Sequence, residues 1–193
     1  MLRHWRIGRK THGSGVTGID HSKAMLVHAR QRAPRARFLW VDARSFTVEQ
    51  PQHAILSTFD SLNHILDSSE LEQVFHQVRQ ALVPRGIFYF DLNMHEGYLK
   101  RWKGSFHITE KDLVCVMDAH YDSERRLAYN DFTLFTPEDQ GWKRSDFTLT
   151  QKAYYKEEVF RMLSSAGFRD IHAKTSEEVG FDSWGRMFFK CRK

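Results

Sequence analysis

The sequence predicts an α/β fold built on a doubly wound, mostly parallel sheet. Two observations carry this prediction: short apolar runs that close on a polar residue recur along the first half of the chain, and helical patterns separate them. Composition favours a single globular domain over residues 1–193, because 41% of the residues are hydrophobic and 27% are charged.

The first strand–helix–strand unit begins with the apolar run 16–20. This run is closed by Asp20, as is typical of a buried parallel strand that reaches the carboxyl edge of its sheet. Ser22 can cap a helix that Pro34 ends. The run 38–42 predicts the next strand and again closes on an acid. The expected apolar face of the helix consists of Met25, Leu26, Ala29 and Ala33.

The same alternation of strand and helix patterns continues as far as residue 92. The run 54–59 predicts a strand, and polar residues follow it. Ser69 and Glu72 form the pattern of a capping box at the start of a helix. The run 87–92 is too apolar for an exposed edge strand. The expected apolar face of this helix consists of Leu71, Val74, Phe75, Val78 and Leu82.

After residue 93 the pattern changes. Strand-like segments without helices between them predict an antiparallel β insertion from about 106 to 150, with a hairpin turn at 138–141. The last third returns to the earlier pattern, with a helix that stops at Gly167. Two strands follow, at 169–174 and 186–191.

Charge and cysteine content narrow the function classes. The net charge of +5 is compatible with a nucleic-acid partner, but its distribution argues against one. Acids are interspersed with the bases, and only 30–37 is densely basic, so we do not expect nucleic acid to be the partner. Residues 1–10 lack the character of a targeting peptide, and no segment is apolar enough to cross a membrane. Cys115 and Cys191 form no disulfide framework, which favours a reducing, cytoplasmic location.

The motifs along the chain resemble the class I S-adenosylmethionine-dependent methyltransferases, in particular the small-molecule branch. The resemblance runs from about Val16 to the carboxyl terminus and implies transfer of a methyl group from S-adenosylmethionine to a small-molecule acceptor. The motifs that carry it are Val16-Thr-Gly-Ile-Asp-His-Ser-Lys-Ala-Met25, Phe38-Leu-Trp-Val-Asp-Ala-Arg44, Phe59-Asp-Ser-Leu-Asn63 and Leu82-Val-Pro-Arg-Gly-Ile-Phe-Tyr-Phe-Asp-Leu-Asn93.

The resemblance also implies site residues. Asp20 would accept hydrogen bonds from the cofactor ribose and Asp42 from the adenine amine. The implied cofactor-binding residues are Asp20, His21, Met25, Asp42, Ala43, Phe59 and Ser61. Candidate acceptor contacts are Asn63, His64 and Tyr98. Two of these residues have alternative roles: His64 is either a base or a structural histidine, and Met25 either contacts adenine or belongs to the core. No catalytic residue is assigned, and no metal is expected.

The start of the chain departs from the family pattern. Residues 1–15 hold too few apolar side chains for the buried first strand of the family, and Gly13-Ser-Gly15 adjoins the next strand without a helix between them. We therefore expect an amino-terminally truncated domain that lacks its first strand and can self-associate through the open sheet. The alternative is a catalytically inactive module that binds a partner.

Overall fold

The computed structural model describes residues 15–182 and 184–193. The chain divides into two compact units, of which the first ends at Phe46 and the second is Thr47–Lys193. The atypical start that we predict at 1–15 lies, apart from residue 15, outside the described residues. The two units are therefore described one at a time.

In its described residues, the first unit contains one strand–helix–strand motif. Strands β1 (Thr17–Asp20) and β2 (Arg37–Trp40) pair in parallel, and helix α1 (Lys23–Arg32) connects them. The predicted cap is confirmed, since the Ser22 hydroxyl accepts a hydrogen bond from the Met25 amide at 3.3 Å. The predicted apolar face of α1 is confirmed in part, because Leu26 is buried and Ala29 and Ala33 are half-buried, whereas Met25 is exposed.

The second unit contains the remaining elements of the chain. In chain order they are β3 (Gln52–Ser57), α2 (Ser68–Ala81), β4 (Leu82–Asn93), α3 (His95–Arg101), β5 (Gly104–Glu110), β6 (Leu113–Asp122), β7 (Leu127–Glu138), β8 (Gly141–Lys152), α4 (Lys156–Ser165), β9 (Arg169–Thr175) and β10 (Arg186–Arg192).

The main sheet of the second unit is mixed, with strand order β3-β4-β10-β9. The pair β3 and β4 is parallel, whereas β10 runs antiparallel to both of its neighbours. The α/β class is thus confirmed, but the mostly parallel sheet that we predict is not. The reason lies in the connection from β9 to β10, which has no crossover helix of the kind that a parallel pair requires.

One face of this sheet forms the hydrophobic core with α2 and α4. Phe75 of α2 lies 5.4 Å from Phe90 of β4 between ring centroids, and Phe90 stacks on Phe189 of β10 at 4.9 Å. All three rings are fully buried. Close-packed aromatic contacts of this kind fix how the two helices lie on the sheet.

The N-cap of helix α2 lies two residues before the predicted capping box. The Asp67 carboxylate accepts hydrogen bonds from the amides of Ser69 and Glu70, at 2.7 and 3.3 Å. A carboxylate is a strong acceptor near the positive end of a helix, so the cap is Asp67 and the Ser69–Glu72 box is wrong. The sequence reasoning also missed α3, which is a short helix directly after β4.

The segment for which we predict antiparallel strands forms a four-stranded sheet with order β5-β6-β7-β8. Its register places one row of apolar side chains across all four strands. This row consists of Phe106, Met117, Phe132 and Phe147. Phe132 and Phe147 stack with their ring centroids 5.0 Å apart.

Helix α4 ends at Ser165, and Gly167 follows its C-cap as the stop that the sequence predicts. Gly167 has φ 88°, its amide bonds to the Ser164 carbonyl, and the Phe168 amide bonds to the Leu163 carbonyl at 3.0 Å. These two bonds form a Schellman motif, whose left-handed position favours glycine.

We expect Gly167→Ala to lower the free energy of unfolding by about 1 kcal/mol, because alanine carries a steric penalty in the left-handed region. Urea unfolding monitored by circular dichroism measures the change. Gly167→Asn is the matched control: its Cβ meets the same Arg79 side chain, but asparagine tolerates this conformation. Equal losses in the two variants would contradict the backbone explanation.

Candidate functional site

Asp20 lies at the carboxyl end of β1 with its side chain exposed. One carboxylate oxygen, Oδ1, accepts a hydrogen bond from the Ser22 amide at 2.7 Å. Oδ2 has no hydrogen-bond partner among the residues that the structure describes. Asp20 therefore offers a fixed carboxylate with one oxygen open to a ligand hydroxyl.

Trp40 joins the end of β2 to the turn that follows β1. Its indole nitrogen donates a hydrogen bond to the His21 carbonyl at 2.8 Å. The Lys23 ammonium lies 3.8 Å from the centre of the indole ring. The sequence reasoning missed Trp40, although a large aromatic residue two positions before a strand-end acid is a usable signal.

Asp42 follows β2, and hydrogen bonds from a neighbouring arginine fix its carboxylate. The Arg44 side chain donates to both carboxylate oxygens, at 2.9 and 2.6 Å. These side-chain hydrogen bonds lower the pKa of Asp42 to about 2, so the carboxylate stays ionised at neutral pH. Ala43 beside it is half-buried. Met25 is 55% exposed in α1 and is therefore not a core residue.

In the second unit, a strained turn follows β3. Phe59 and Asp60 have φ values of 63° and 50°, which is the left-handed region that non-glycine residues avoid. The turn leaves the Phe59 ring 58% exposed. The Ser61 hydroxyl next to it donates to the Thr58 carbonyl at 2.8 Å and is exposed as well.

A buried ion cluster holds this turn in place. Arg186 of β10 donates to Asp60 Oδ1 at 2.8 Å and lies 3.2 Å from Asp91 Oδ2. The Asp60 amide donates to the same Asp91 oxygen at 3.0 Å. Asp91 is only 1% exposed, and this burial raises its pKa. The guanidinium of Arg186 thus compensates two carboxylates at the edge of the sheet.

Asn63 is fully buried and all of its amide contacts are internal. Its Nδ2 donates to the carbonyls of Asn93 and Lys152 at 2.9 and 2.8 Å, and its Oδ1 accepts from the Asn93 amide at 2.9 Å. The structure therefore corrects its predicted place: Asn63 joins β4 and β8 and does not face an acceptor.

His64 is exposed, but both of its ring nitrogens have protein neighbours. Nδ1 lies 3.2 Å from the Thr150 carbonyl, and Nε2 lies 3.3 Å from the amide nitrogen of Gln151. That amide nitrogen also donates to Asp60 Oδ2 at 2.8 Å, which fixes its orientation because a carboxylate can only accept. These contacts favour the structural reading of His64 over the base.

Tyr98 of α3 is fully buried and is not placed to touch an acceptor. Its hydroxyl donates to Gln151 Oε1 at 3.1 Å, and burial raises its pKa. Gln151 thus joins Tyr98, Asp60 and His64 in one network. The sequence reasoning missed Gln151 and Arg186, since nothing local marks them. Asp91 did leave a signal, namely an acid inside a strand that is otherwise apolar.

Three further properties follow from the described residues. Within this part of the chain, no group of His, Cys, Asp and Glu side chains is arranged to hold a metal ion. None of the helices in the described ranges has the length and apolar character needed to span a membrane. Cys115 and Cys191 are both buried free thiols.

Comparison with known proteins shows which proteins this chain is similar to. A family model described as a methyltransferase domain matches residues 6–86, which starts ahead of Val16, where we place the beginning of the resemblance. The protein YqeM of Bacillus subtilis, which carries a methyltransferase name, is 28% identical over 189 residues that cover 94% of this chain and 76% of YqeM. The chain is thus similar to methyltransferases both within a known domain family and along most of its length, and the resemblance that the sequence predicts is confirmed.

Solved methyltransferases share the fold of this chain. An S-adenosylmethionine-dependent methyltransferase from Clostridium acetobutylicum superposes with a TM-score of 0.77 at 19% identity, covering 93% of this chain and 75% of that one. An amino pentose methyltransferase from Micromonospora echinaspora gives a TM-score of 0.73 at 18% identity, with coverage of 93% and 74%. At these identities the likeness concerns the fold alone.

Proposed function

We propose that this methyltransferase binds S-adenosylmethionine and transfers its methyl group to a small-molecule acceptor. The observation that carries the proposal is the exposed Asp20 carboxylate at the end of β1, with one oxygen fixed by Ser22 and the other open. A carboxylate at the carboxyl edge of parallel strands is suited to a ribose hydroxyl. The residues present therefore fit the cofactor at this position.

Other side chains support the same proposal. Asp42 is ionised at neutral pH and accepts bonds from Arg44 with lone pairs to spare for an amine donor. His21 is exposed beside the Trp40 indole, and Met25 presents an apolar side chain to solvent. Phe59 and Ser61 are the candidates for the methionine end, because a rigid strained turn presents both of them to solvent.

The cofactor supplies an activated methyl group together with its own leaving group. The protein then has to bind, orient and exclude water, which requires no catalytic triad. The small-molecule acceptor is proposed from the sequence resemblance and from the amino pentose methyltransferase, which has the same fold. Since both nitrogens of His64 have protein neighbours, we assign no residue to removal of an acceptor proton.

Isothermal titration calorimetry with S-adenosylmethionine and S-adenosylhomocysteine tests this function. We expect saturable binding of both ligands with one site per chain. A radiolabelled methyl group should then appear in one or more members of a panel of small amines and alcohols. A folded chain that binds neither ligand would contradict the proposal.

A second candidate function is a non-catalytic, partner-binding role. The observation that favours it is an exposed apolar side chain on the main sheet, since Leu56 of β3 is 61% exposed. Sheets that contain parallel strands normally have both faces covered. Binding of a partner without any binding of the cofactor would select this second function.

A further inference from the structure

Gln151 of β8 joins the antiparallel sheet to the carboxyl edge of the main sheet. Its side chain is buried, with 3% exposed. Nε2 donates to Asp60 Oδ2 at 2.8 Å and lies 3.3 Å from His64 Nε2, while Oε1 accepts a hydrogen bond from the Tyr98 hydroxyl at 3.1 Å. Both polar atoms of the side chain are thus bound within the protein, so Gln151 can act on a ligand only through the residues that it holds.

The neighbours of Gln151 in β8 contact the same segment through their backbones. The Thr150 carbonyl lies 3.2 Å from His64 Nδ1, and the Lys152 carbonyl accepts a hydrogen bond from Asn63 Nδ2 at 2.8 Å. A substitution at either of these positions leaves its carbonyl oxygen in the chain. Gln151 is therefore the position of the three at which a change of side chain removes the contact.

The carboxylate of Asp60 is held from both sheets. Arg186 of β10 and Asn93 of β4 donate to it at 2.8 and 3.0 Å, and Gln151 adds a donor from β8. Asp60 and Phe59 both have left-handed backbone conformations, with φ values of 50° and 63°. Such conformations persist in residues other than glycine only where the surrounding contacts hold them. Loss of the donor from β8 should therefore disturb the backbone of the turn.

The same turn presents two groups that suit a cationic ligand. The Phe59 ring is 58% exposed, and the face of an aromatic ring attracts a cation. The exposed Ser61 hydroxyl donates its proton to the Thr58 carbonyl at 2.8 Å, so its oxygen can still accept a hydrogen bond from an ammonium group. The amino-acid end of S-adenosylmethionine carries an ammonium group and is joined to a sulfonium. These charges match the turn.

We propose that Gln151 is a positioning residue for the amino-acid end of the cofactor. Its hydrogen bond to Asp60 keeps the turn in the conformation in which Phe59 and Ser61 meet that end. This role rests on the proposed function and gives the antiparallel sheet a part in cofactor binding.

Two ligands that differ at the amino-acid end test this role on the full chain. S-adenosylhomocysteine and 5′-methylthioadenosine share the adenosine thioether, but 5′-methylthioadenosine has no amino-acid group. In calorimetry, Gln151→Met should raise the Kd of S-adenosylhomocysteine about tenfold, as for loss of one hydrogen bond to a charged group. The Kd of 5′-methylthioadenosine should stay unchanged. A general loss of folded protein would weaken both ligands alike, so the ratio of the two Kd values reports positioning.

Tyr98→Phe is the matched control. It removes the other hydrogen bond of Gln151 and leaves the donor to Asp60 in place, so the Kd ratio should equal that of the unmodified chain. Gln151→Asn provides a second variant if Gln151→Met does not fold. Its amide is one methylene shorter and falls short of Asp60, so it should change the ratio in the same direction as Gln151→Met.

Two results would overturn the role of Gln151 alone, given an unmodified chain that binds S-adenosylhomocysteine. One is a Kd ratio that the Gln151 variants leave unchanged, and the other is a ratio that Tyr98→Phe changes as much as they do. An unmodified chain that is folded but binds neither ligand would overturn the proposed function and this role together.

Discussion

Arg186→Ala should lower the free energy of unfolding by about 3–5 kcal/mol at neutral pH, which is the usual effect of leaving a buried charge without its partner. Asp91 is 1% exposed, and Arg186 is the cation within 3.2 Å of its carboxylate. Asp60 loses a charged donor in the same variant but keeps Asn93 and Gln151. Urea unfolding at pH 7 measures the loss.

The pH dependence of this loss identifies Asp91 as its source. Burial raises the pKa of Asp91 in the folded chain above its unfolded value. A raised pKa favours the folded state when the carboxyl group is protonated, and this contribution disappears as the pH rises through the folded-state pKa. The loss in Arg186→Ala should therefore shrink as the pH falls from 7 towards about 4.

Two further variants provide the controls for Arg186. Arg192→Ala removes a guanidinium whose contact with Asp170, at 3.8 Å, is largely exposed, and it should cost less than about 1 kcal/mol. Adding Asp91→Asn to Arg186→Ala should restore part of the stability at pH 7. If Arg186→Ala lowers the free energy of unfolding no more than Arg192→Ala, or if its effect does not change with pH, Arg186 does not stabilise the fold by compensating Asp91.

Asp20→Ala should weaken binding of S-adenosylmethionine by on the order of 2 kcal/mol, or about 30-fold in Kd, because the ligand hydroxyls lose a charged acceptor. Calorimetry measures this directly. Asp20→Asn keeps a carbonyl oxygen for the Ser22 amide and should lose less affinity.

The matched control for Asp20 is Asp112→Ala, which removes an exposed acid from a turn of the second unit and should leave the Kd unchanged. Circular dichroism checks that α1 is retained in Asp20→Ala. An unchanged Kd in that variant, with a folded α1, would remove Asp20 from the cofactor site.

Local patterns in the sequence predict the elements of this fold well. The strands β1 to β4, the Ser22 cap and the Gly167 stop all follow from apolar runs and from residues with strong backbone preferences. Sheet order does not follow from such patterns, because the place of β10 between β4 and β9 depends on partners that are distant in sequence.

The residues of the candidate site also differ in how well the sequence predicts them. Strand-end acids such as Asp20 and Asp42 are visible in the sequence because their position is local. The burial of Asn63 and Tyr98 is not visible, since their hydrogen-bond partners in β8 lie 89 and 53 residues further along the chain. Polar residues near a strand end therefore predict proximity to a site, but not which side chains point into it.

The contact between Asp60 and Arg186 spans 126 residues, and Arg186 lies in the last strand of the chain. During synthesis the strained Phe59–Asp60 turn has no access to this cation until residue 186 has left the ribosome. Premature termination before β10 would yield a chain whose early strands are complete but whose turn lacks the guanidinium that binds Asp60. The conformation of this turn therefore depends on the synthesis and docking of β10.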